Sequence, residues 1–295
     1  MAETFELLPG TGIQVWRFKG AAPGPKVLIT AGIHGSEYPG ILTARRLLAL
    51  FEEGVAAGEV TVVPLVNPAA FDARSKAVNP EDGENINRMF PGDPEGTASQ
   101  RRAWAITKLQ DEADFYIDLH GGDLFEDLWP YVYVPGNCAP EVTVRAREVA
   151  EHLSVPVRVL SQASTGAYNS AAIRGTPSIL IERGSLGLWS EADVEAYMAD
   201  LKSILAFLGV IKGEAVKNRA QREAPVASYV SSRHSGFWFP NVRPGSFVKA
   251  GETLGRIENF AGGVLDTVVA PHDGNVLYMT VTLSAPAGCD LVALG

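Results

Sequence analysis

Three short stretches carry side chains that can hold a metal ion or move a proton. In Ala31-Gly-Ile-His34-Gly-Ser-Glu37 an imidazole and a carboxylate stand three residues apart, a spacing that can bring both onto one ion when it spans a turn. In Asp118-Leu-His120-Gly-Gly the carboxylate and imidazole are two apart, so in a strand they share a face and Asp118 can shape the surroundings of His120. Two strand-end histidines with a spaced glutamate match the His2Glu set, completed by a water, of a catalytic zinc. Glu182, in Ile179-Leu-Ile-Glu182-Arg-Gly184, closes another apolar run and can be the general base that takes a proton from activated water. Each group also has a plainer explanation. Glu37 can complement a helix macrodipole, His120 can be structural, and Glu182 can pair with Arg183.

A fourth stretch is polar and too long to be mere connection: Asn67-Pro68-Ala-Ala-Phe-Asp-Ala-Arg74, then Glu84-Asn-Ile-Asn87-Arg88-Met-Phe-Pro91. Arg74 and Arg88 can each meet an anionic substrate, because a guanidinium matches carboxylate geometry in a bidentate way, although a solvated surface arginine is the default for either one.

The elements that must position these groups are those of an α/β sheet covered by helices on both faces. Short β-branched or aromatic runs at 27–33, 60–66, 115–120, 131–134, 155–160 and 178–182 alternate with amphipathic segments, and several runs are continuously apolar, as central strands are. Helices are expected at about 40–53, 98–112 and 141–153, and from Ser190, where Ser190-x-x-Asp193 resembles a capping box and Val194, Met198, Leu201, Leu205 and Leu208 keep helical spacing. In such sheets ligands sit at the carboxyl ends of the strands, where His34, His120 and Glu182 fall. We therefore expect a catalytic domain over 1–213, a polar linker over 214–225, and a small all-β domain over 226–295, where glycines punctuate short hydrophobic stretches.

Composition narrows the field. The chain has 295 residues, 46% of them hydrophobic, and 25 Lys+Arg against 34 Asp+Glu give a net charge of −9, which disfavours nucleic acid or an anionic membrane as partner. Two cysteines, Cys138 and Cys289, cannot build a disulfide framework or a cysteine-rich zinc site, so any metal is held by histidine and carboxylate. The acidic N-terminus lacks the charge and apolar core of a signal peptide, and no run of 18 apolar residues occurs, so a cytoplasmic protein is expected. Nucleophile-elbow, Walker and dinucleotide fingerprints are missing from the sequence.

Two resemblances follow from these motifs. Arg243-Pro-Gly-Ser-Phe-Val248-Lys-Ala-Gly251-Glu-Thr-Leu-Gly255, followed by Val269-Ala-Pro271-His-Asp-Gly274, resembles the barrel-sandwich sheet of biotinyl and lipoyl carrier domains. The hairpin tip at 258–263 has no lysine to carry a cofactor, so only the scaffold likeness holds. The ordered set His34-Gly-Ser-Glu37, Asn67-Pro68 to Arg74, Asn87-Arg88, Asp118-Leu-His120 and Glu182 resembles the succinylglutamate desuccinylase and aspartoacylase family over essentially the whole chain. That likeness implies a zinc carboxypeptidase-like mixed sheet with an appended β domain, and one Zn2+ per chain held by His34, Glu37 and His120. It also implies Glu182 as general base and proton shuttle, Arg74 polarising the scissile carbonyl, and Asn87 with Arg88 holding a substrate carboxylate.

Well-characterised members commonly read His-Gly-Asn-Glu and continue the general base into Gly-Pro. This chain has His-Gly-Ser-Glu and Glu182-Arg-Gly-Ser, closer to a branch with N-acetyl-diaminobutyrate deacetylase-like proteins, so aspartate or glutamate specificity does not transfer. The expectation is a metal-dependent amidohydrolase that deacylates a small N-acyl amino acid with a free carboxylate. A zinc carboxypeptidase for short peptides and a non-catalytic binding protein on the same fold are the alternatives, and self-association is left open.

Overall fold

The apolar runs expected as strands form the middle of one mixed sheet. The structure, a computed structural model, describes residues 2–295. In chain order residues 2–224 contain β1 (Glu3–Glu6), β2 (Gln14–Lys19), β3 (Ala22–Ala31), α1 (Tyr38–Glu52), β4 (Ala57–Val63), α2 (Pro68–Ala73), a 3-10 turn (Ile86–Arg88), α3 (Ala98–Asp111), β5 (Phe115–His120), β6 (Glu126–Leu128), β7 (Tyr131–Pro135), α4 (Pro140–Ala150), β8 (Val157–Ser161), α5 (Ala167–Ile173), β9 (Ser178–Glu182), α6 (Glu191–Leu208) and β10 (Arg222–Ala224). Nine of these strands pair in the order β1-β2-β4-β3-β5-β9-β7-β8-β10.

The parallel block β4-β3-β5-β9 sits at the centre, with β5 buried at every residue. Alternation along β5 sends Phe115, Ile117 and Leu119 to one face, where Leu47 and Phe51 of α1, Val149 of α4 and Leu201 and Leu205 of α6 pack against them. Tyr116 points to the other face, with Ala103 and Ile106 of α3 and Ala171 of α5. Helix α6 begins where its motif put it, Ser190 Oγ accepting from the Asp193 N–H at 3.1 Å, and it stops at Gly209, whose φ of +80° a side chain would resist.

The remaining strands are β11 (Ser228–Ser231), β12 (Gly236–Pro240), β13 (Phe247–Val248), β14 (Thr253–Glu258), β15 (Val264–Val269), β16 (Gly274–Thr280), β17 (Ser284–Ala285) and β18 (Asp290–Leu294). They form two antiparallel sheets, β11-β18-β16-β13 and β15-β14-β12-β17, around a core that includes Trp238, Leu254, Ile257, Val276 and Val292.

Two pairings join the stretches expected as linker and β domain to the rest of the chain. Arg222–Ala224, inside the stretch 214–225, adds as a parallel strand to β8, because its backbone groups complete an otherwise open sheet edge. β6, from the first half of the chain, pairs with β16, Leu128 opposite Tyr278 and Glu126 opposite Thr280. Leu277 and Ala293 of the β domain are fully buried in the same core as Tyr131, Tyr133, Val157 and Ala224.

Leu277→Ala should therefore lower the unfolding free energy by about 2–5 kcal/mol in one cooperative transition. Denaturant unfolding followed by fluorescence and circular dichroism tests this. Two separated transitions, with only the later residues affected, would contradict a shared core.

Candidate active site

The loops that leave the carboxyl ends of β3, β5 and β9 meet at one cavity of about 440 Å³. His34 lies in the loop after β3, and Glu37 is the N-cap of α1. Glu37 makes no capping bond to its own helix. Its carboxylate instead faces two imidazoles, with Oε1 2.7 Å from His34 Nδ1 and Oε2 2.9 Å from His120 Nδ1, and it accepts from the Gly121 N–H at 3.3 Å. The residue after His120 must be glycine, since a Cβ on Gly121 would lie 2.3 Å from the Arg183 carbonyl oxygen.

The outer nitrogen of each ring is held by an acceptor. Asn85 Oδ1 already accepts from the Asn87 N–H at 2.9 Å, which fixes it as the amide oxygen, and His34 Nε2 donates to it at 3.2 Å. His120 Nε2 donates to Asp118 Oδ2 at 3.1 Å. Behind it, Thr30 Oγ1 donates to Asp118 Oδ1 at 2.8 Å and so receives its own hydrogen bond from the Tyr116 hydroxyl at 2.7 Å. With both outer nitrogens protonated, both Nδ1 lone pairs point at the Glu37 carboxylate. Two lone pairs and an anion in a buried corner repel unless a proton or a cation lies between them.

The electrostatics express the same demand. Burial would raise the Glu37 carboxyl, yet the neighbouring His34 and His120 outweigh it and hold it at about 2. Burial would lower His120, yet Asp118 and Glu37 raise it well above the ordinary imidazole value. A site that draws protons in this way suits a dication. One donor atom from each of His34, Glu37 and His120 lies within 4.8 Å of the others, and this is the one such group among the described residues. The donor set fits zinc, with His nitrogen and carboxylate oxygen as first ligands and Asp118 and Asn85 as their outer partners.

Glu182 ends β9 directly opposite His120 in the β5–β9 register and lines the cavity. Burial pushes its carboxyl well above the ordinary range, and the charges of Glu37, Glu126 and Asp118 add to this while His120 opposes it. The plainer explanation for Glu182 fails. Arg183 turns to the other side of the sheet, where its guanidinium donates to Asp200 at 2.7 Å and to Ser154 at 3.1 Å. The Tyr197 hydroxyl of α6 donates to the carbonyls of both His120 and Ile181, tying the ends of β5 and β9 together beside the site.

Asn87 and Arg88 also line the cavity. Their loop is pinned from outside. Asp82 accepts from Ser99 at 2.6 and 2.9 Å, and the buried Arg102 donates to Glu81 through both terminal nitrogens. Asn87 Oδ1 accepts from the Ala167 N–H at 2.9 Å, which leaves its Nδ2 free to donate elsewhere.

Arg74 does not line this cavity. It is exposed, closes α2 with a left-handed φ of +52°, and belongs to a separate groove lined by Trp16, Tyr38, Phe71 and Trp189. Lys76, two residues on, lines the cavity as Arg88 does, its Nζ 3.1 Å from Asp123 Oδ2 and 3.8 Å from Glu126 Oε1. Sequence reasoning also missed the β domain's share of the wall, Tyr229, Tyr278 and Asp290. The signal for Lys76 lay in the same polar loop, whereas nothing in the local pattern of 226–295 marks those three.

The fold and site together define an α/β protein with a candidate metal centre at its strand ends and a β domain along one side of the cavity. A profile of the succinylglutamate desuccinylase/aspartoacylase catalytic domain matches residues 23–208, and the chain belongs to this family of deacylating hydrolases. It is 30% identical over 242 residues to the N-alpha-acetyl-L-2,4-diaminobutyric acid deacetylase of Halomonas elongata, covering 79% of this chain and 70% of that one. A succinylglutamate desuccinylase/aspartoacylase structure from Rhodobacter sphaeroides matches it with a TM-score of 0.86 and 26% identity, over 100% of this chain and 94% of that one. The product-bound ectoine utilization protein EutE (DoeB) of Ruegeria pomeroyi shares the fold, with a TM-score of 0.85 and 24% identity over 96% and 88% of the two chains. Among the described residues no helix is long and apolar enough to cross a membrane.

After loading with Zn2+, His34→Ala and His120→Ala should each hold far less metal than the parent protein treated in the same way, as read by elemental mass spectrometry. Circular dichroism should show the fold kept, because the core does not depend on the ion. Undiminished zinc in both variants would put the metal elsewhere.

Proposed function

We propose that the protein is a zinc-dependent amidohydrolase that removes the acyl group from a small N-acyl amino acid. The observation that carries this reading is the convergence of two imidazole lone pairs on Glu37, with a half-buried, proton-seeking Glu182 on the adjacent strand end. A divalent cation bound by His34, Glu37 and His120 would supply Lewis acidity toward water and the amide carbonyl at neutral pH. Glu182 takes the proton from the attacking water and carries it to the leaving nitrogen, a task for which a carboxyl raised well above its ordinary range is suited. Lys76, in place of Arg74, presents the positive charge that meets the carbonyl oxygen as it becomes anionic. Arg88 and the free Nδ2 of Asn87 hold a carboxylate of the substrate.

The cavity's modest volume and its β-domain wall favour a single acylated amino acid over a peptide. Given the Halomonas relative, N-acetyl-L-2,4-diaminobutyrate heads the substrate panel, with other N-acetyl and N-succinyl amino acids beside it.

Release of free amine from that panel tests the reading. Glu182→Gln should keep zinc and lose roughly 10²–10⁴-fold in kcat. Lys76→Ala should lose about 10²–10³-fold, the usual effect of removing one oxyanion-stabilising group, while Arg74→Ala stays within a few-fold of the parent. Hydrolysis of no member of the panel by zinc-loaded protein would contradict the proposal, and equal losses in the Lys76 and Arg74 variants would contradict the assignment of Lys76.

A further inference from the structure

Helix α1 carries more apolar surface than the core uses. Ala44, Leu47 and Phe51 are buried against the sheet, whereas Tyr38, Ile41 and Leu42, one turn apart on a neighbouring face, line a groove of about 960 Å³. Phe71 of α2 meets the Tyr38 ring edge to face at 5.8 Å, and Trp16 and Trp189 line the groove with them. Trp189 is 58% exposed, and an open aromatic surface of this extent marks a binding site more often than a bare surface. The groove shares no lining residue with the cavity of Glu182.

Two sides of the groove are shaped by backbone that side chains resist. Among the described residues, Arg74 at φ +52° and Leu186 at φ +63° are the two non-glycine residues in the left-handed region. Arg74 ends α2 and lines the groove. Leu186 stands in the turn that leads to Trp189, its N–H donating to the Glu126 carbonyl at 2.8 Å. Arg46 of α1 donates to the Glu191 carboxylate through both terminal nitrogens, which ties α1 to the start of α6 beside Trp189. Conformations of this cost persist where the surroundings hold them, and they cluster at functional sites.

On a chain of net charge −9 the groove is locally cationic. Arg45, Arg46 and Arg74 line it against one carboxylate, Asp72. Arg46 is paired with Glu191, but Arg45 and Arg74 are exposed and make no ion pair among the described residues. Free guanidiniums beside aromatic rings suit a planar anion, which can be held in a bidentate way while its apolar body stacks. The volume is that of a small-molecule site, about 300–1,000 Å³.

We propose that this groove is a second ligand site, which takes a small organic anion with an aromatic body. Its carboxylate meets Arg45 and Arg74, and its ring lies against Trp189, Phe71 and Tyr38. The site goes beyond deacylation and does not depend on it.

The probe is 2-naphthoate, with neutral 2-naphthylmethanol as its control, titrated by calorimetry into full-length, zinc-loaded protein. The acid should bind once per chain with a Kd of about 1 mM or tighter, at least ten-fold better than the alcohol. Arg45→Gln with Arg74→Asn, the asparagine chosen because it tolerates the left-handed backbone, should weaken the acid roughly ten- to a hundred-fold and leave the alcohol within about two-fold. Trp189→Ala should weaken both by about two- to ten-fold. All three positions are exposed, so circular dichroism should show the fold kept. In zinc-loaded Glu182→Gln protein, excess N-acetyl-L-2,4-diaminobutyrate should not displace the naphthoate.

No binding of the acid, equal affinity for acid and alcohol, or full affinity in the double arginine variant would each overturn the assignment. Displacement by N-acetyl-L-2,4-diaminobutyrate would also overturn it, by putting the probe in the other cavity. So would a dimer of the unliganded protein, seen in sedimentation and abolished by Trp189→Ala, since a second copy would then fill the groove.

Discussion

The site is organised by a repulsion. His34 and His120 each give their outer N–H to a fixed acceptor, Asn85 in one case and Asp118 in the other, so both inner lone pairs are turned on the carboxylate of Glu37. In a buried corner that arrangement is tolerable only with positive charge at its centre. The rest of the molecule is arranged to keep the three groups from relaxing away from one another. Thr30 and Tyr116 hold Asp118 from behind, Tyr197 locks the ends of β5 and β9, and Gly121 lets the chain leave His120 without colliding with Arg183.

Rigidity at the donors contrasts with the cavity's other side. Lys76 and Arg88 come from one long loop, and that loop is tied down at its back by Asp82, Glu81 and Arg102, leaving its cations to face the space where substrate would lie. The β domain completes this side. Its docking through β6 and through the buried Leu277 ties it to the main sheet, and Tyr229 and Tyr278 form part of the cavity wall.

Much of this was legible in the sequence, for a physical reason. His-x-x-Glu and Asp-x-His are local patterns, and once the apolar runs before them are recognised as parallel strands, topology alone brings their ends to one edge. Glu182 follows by the same rule. Arg74 did not, because position along a loop says little about direction. The left-handed residue that ends α2 turns the chain so that Arg74 faces the groove of Trp16 and Trp189, and Lys76 reaches the cavity. The short helices α2 and α5 have six and seven residues, too few to show a helical period, and β1 and β2 lie before the first strong apolar run. The contributions of β10, β6 and the tyrosine wall depend on pairings between distant segments, which no local pattern records.

The central claim is that a single cation held by His34, Glu37 and His120 makes this chain a deacylase. The most direct measurement follows amine release from N-acetyl-L-2,4-diaminobutyrate while protein stripped with a chelator is titrated with Zn2+. The account predicts negligible activity without metal and a rise that reaches its plateau at one zinc per chain. Full activity in the metal-free protein, or no activity at that stoichiometry on this or any other N-acyl amino acid, would contradict it.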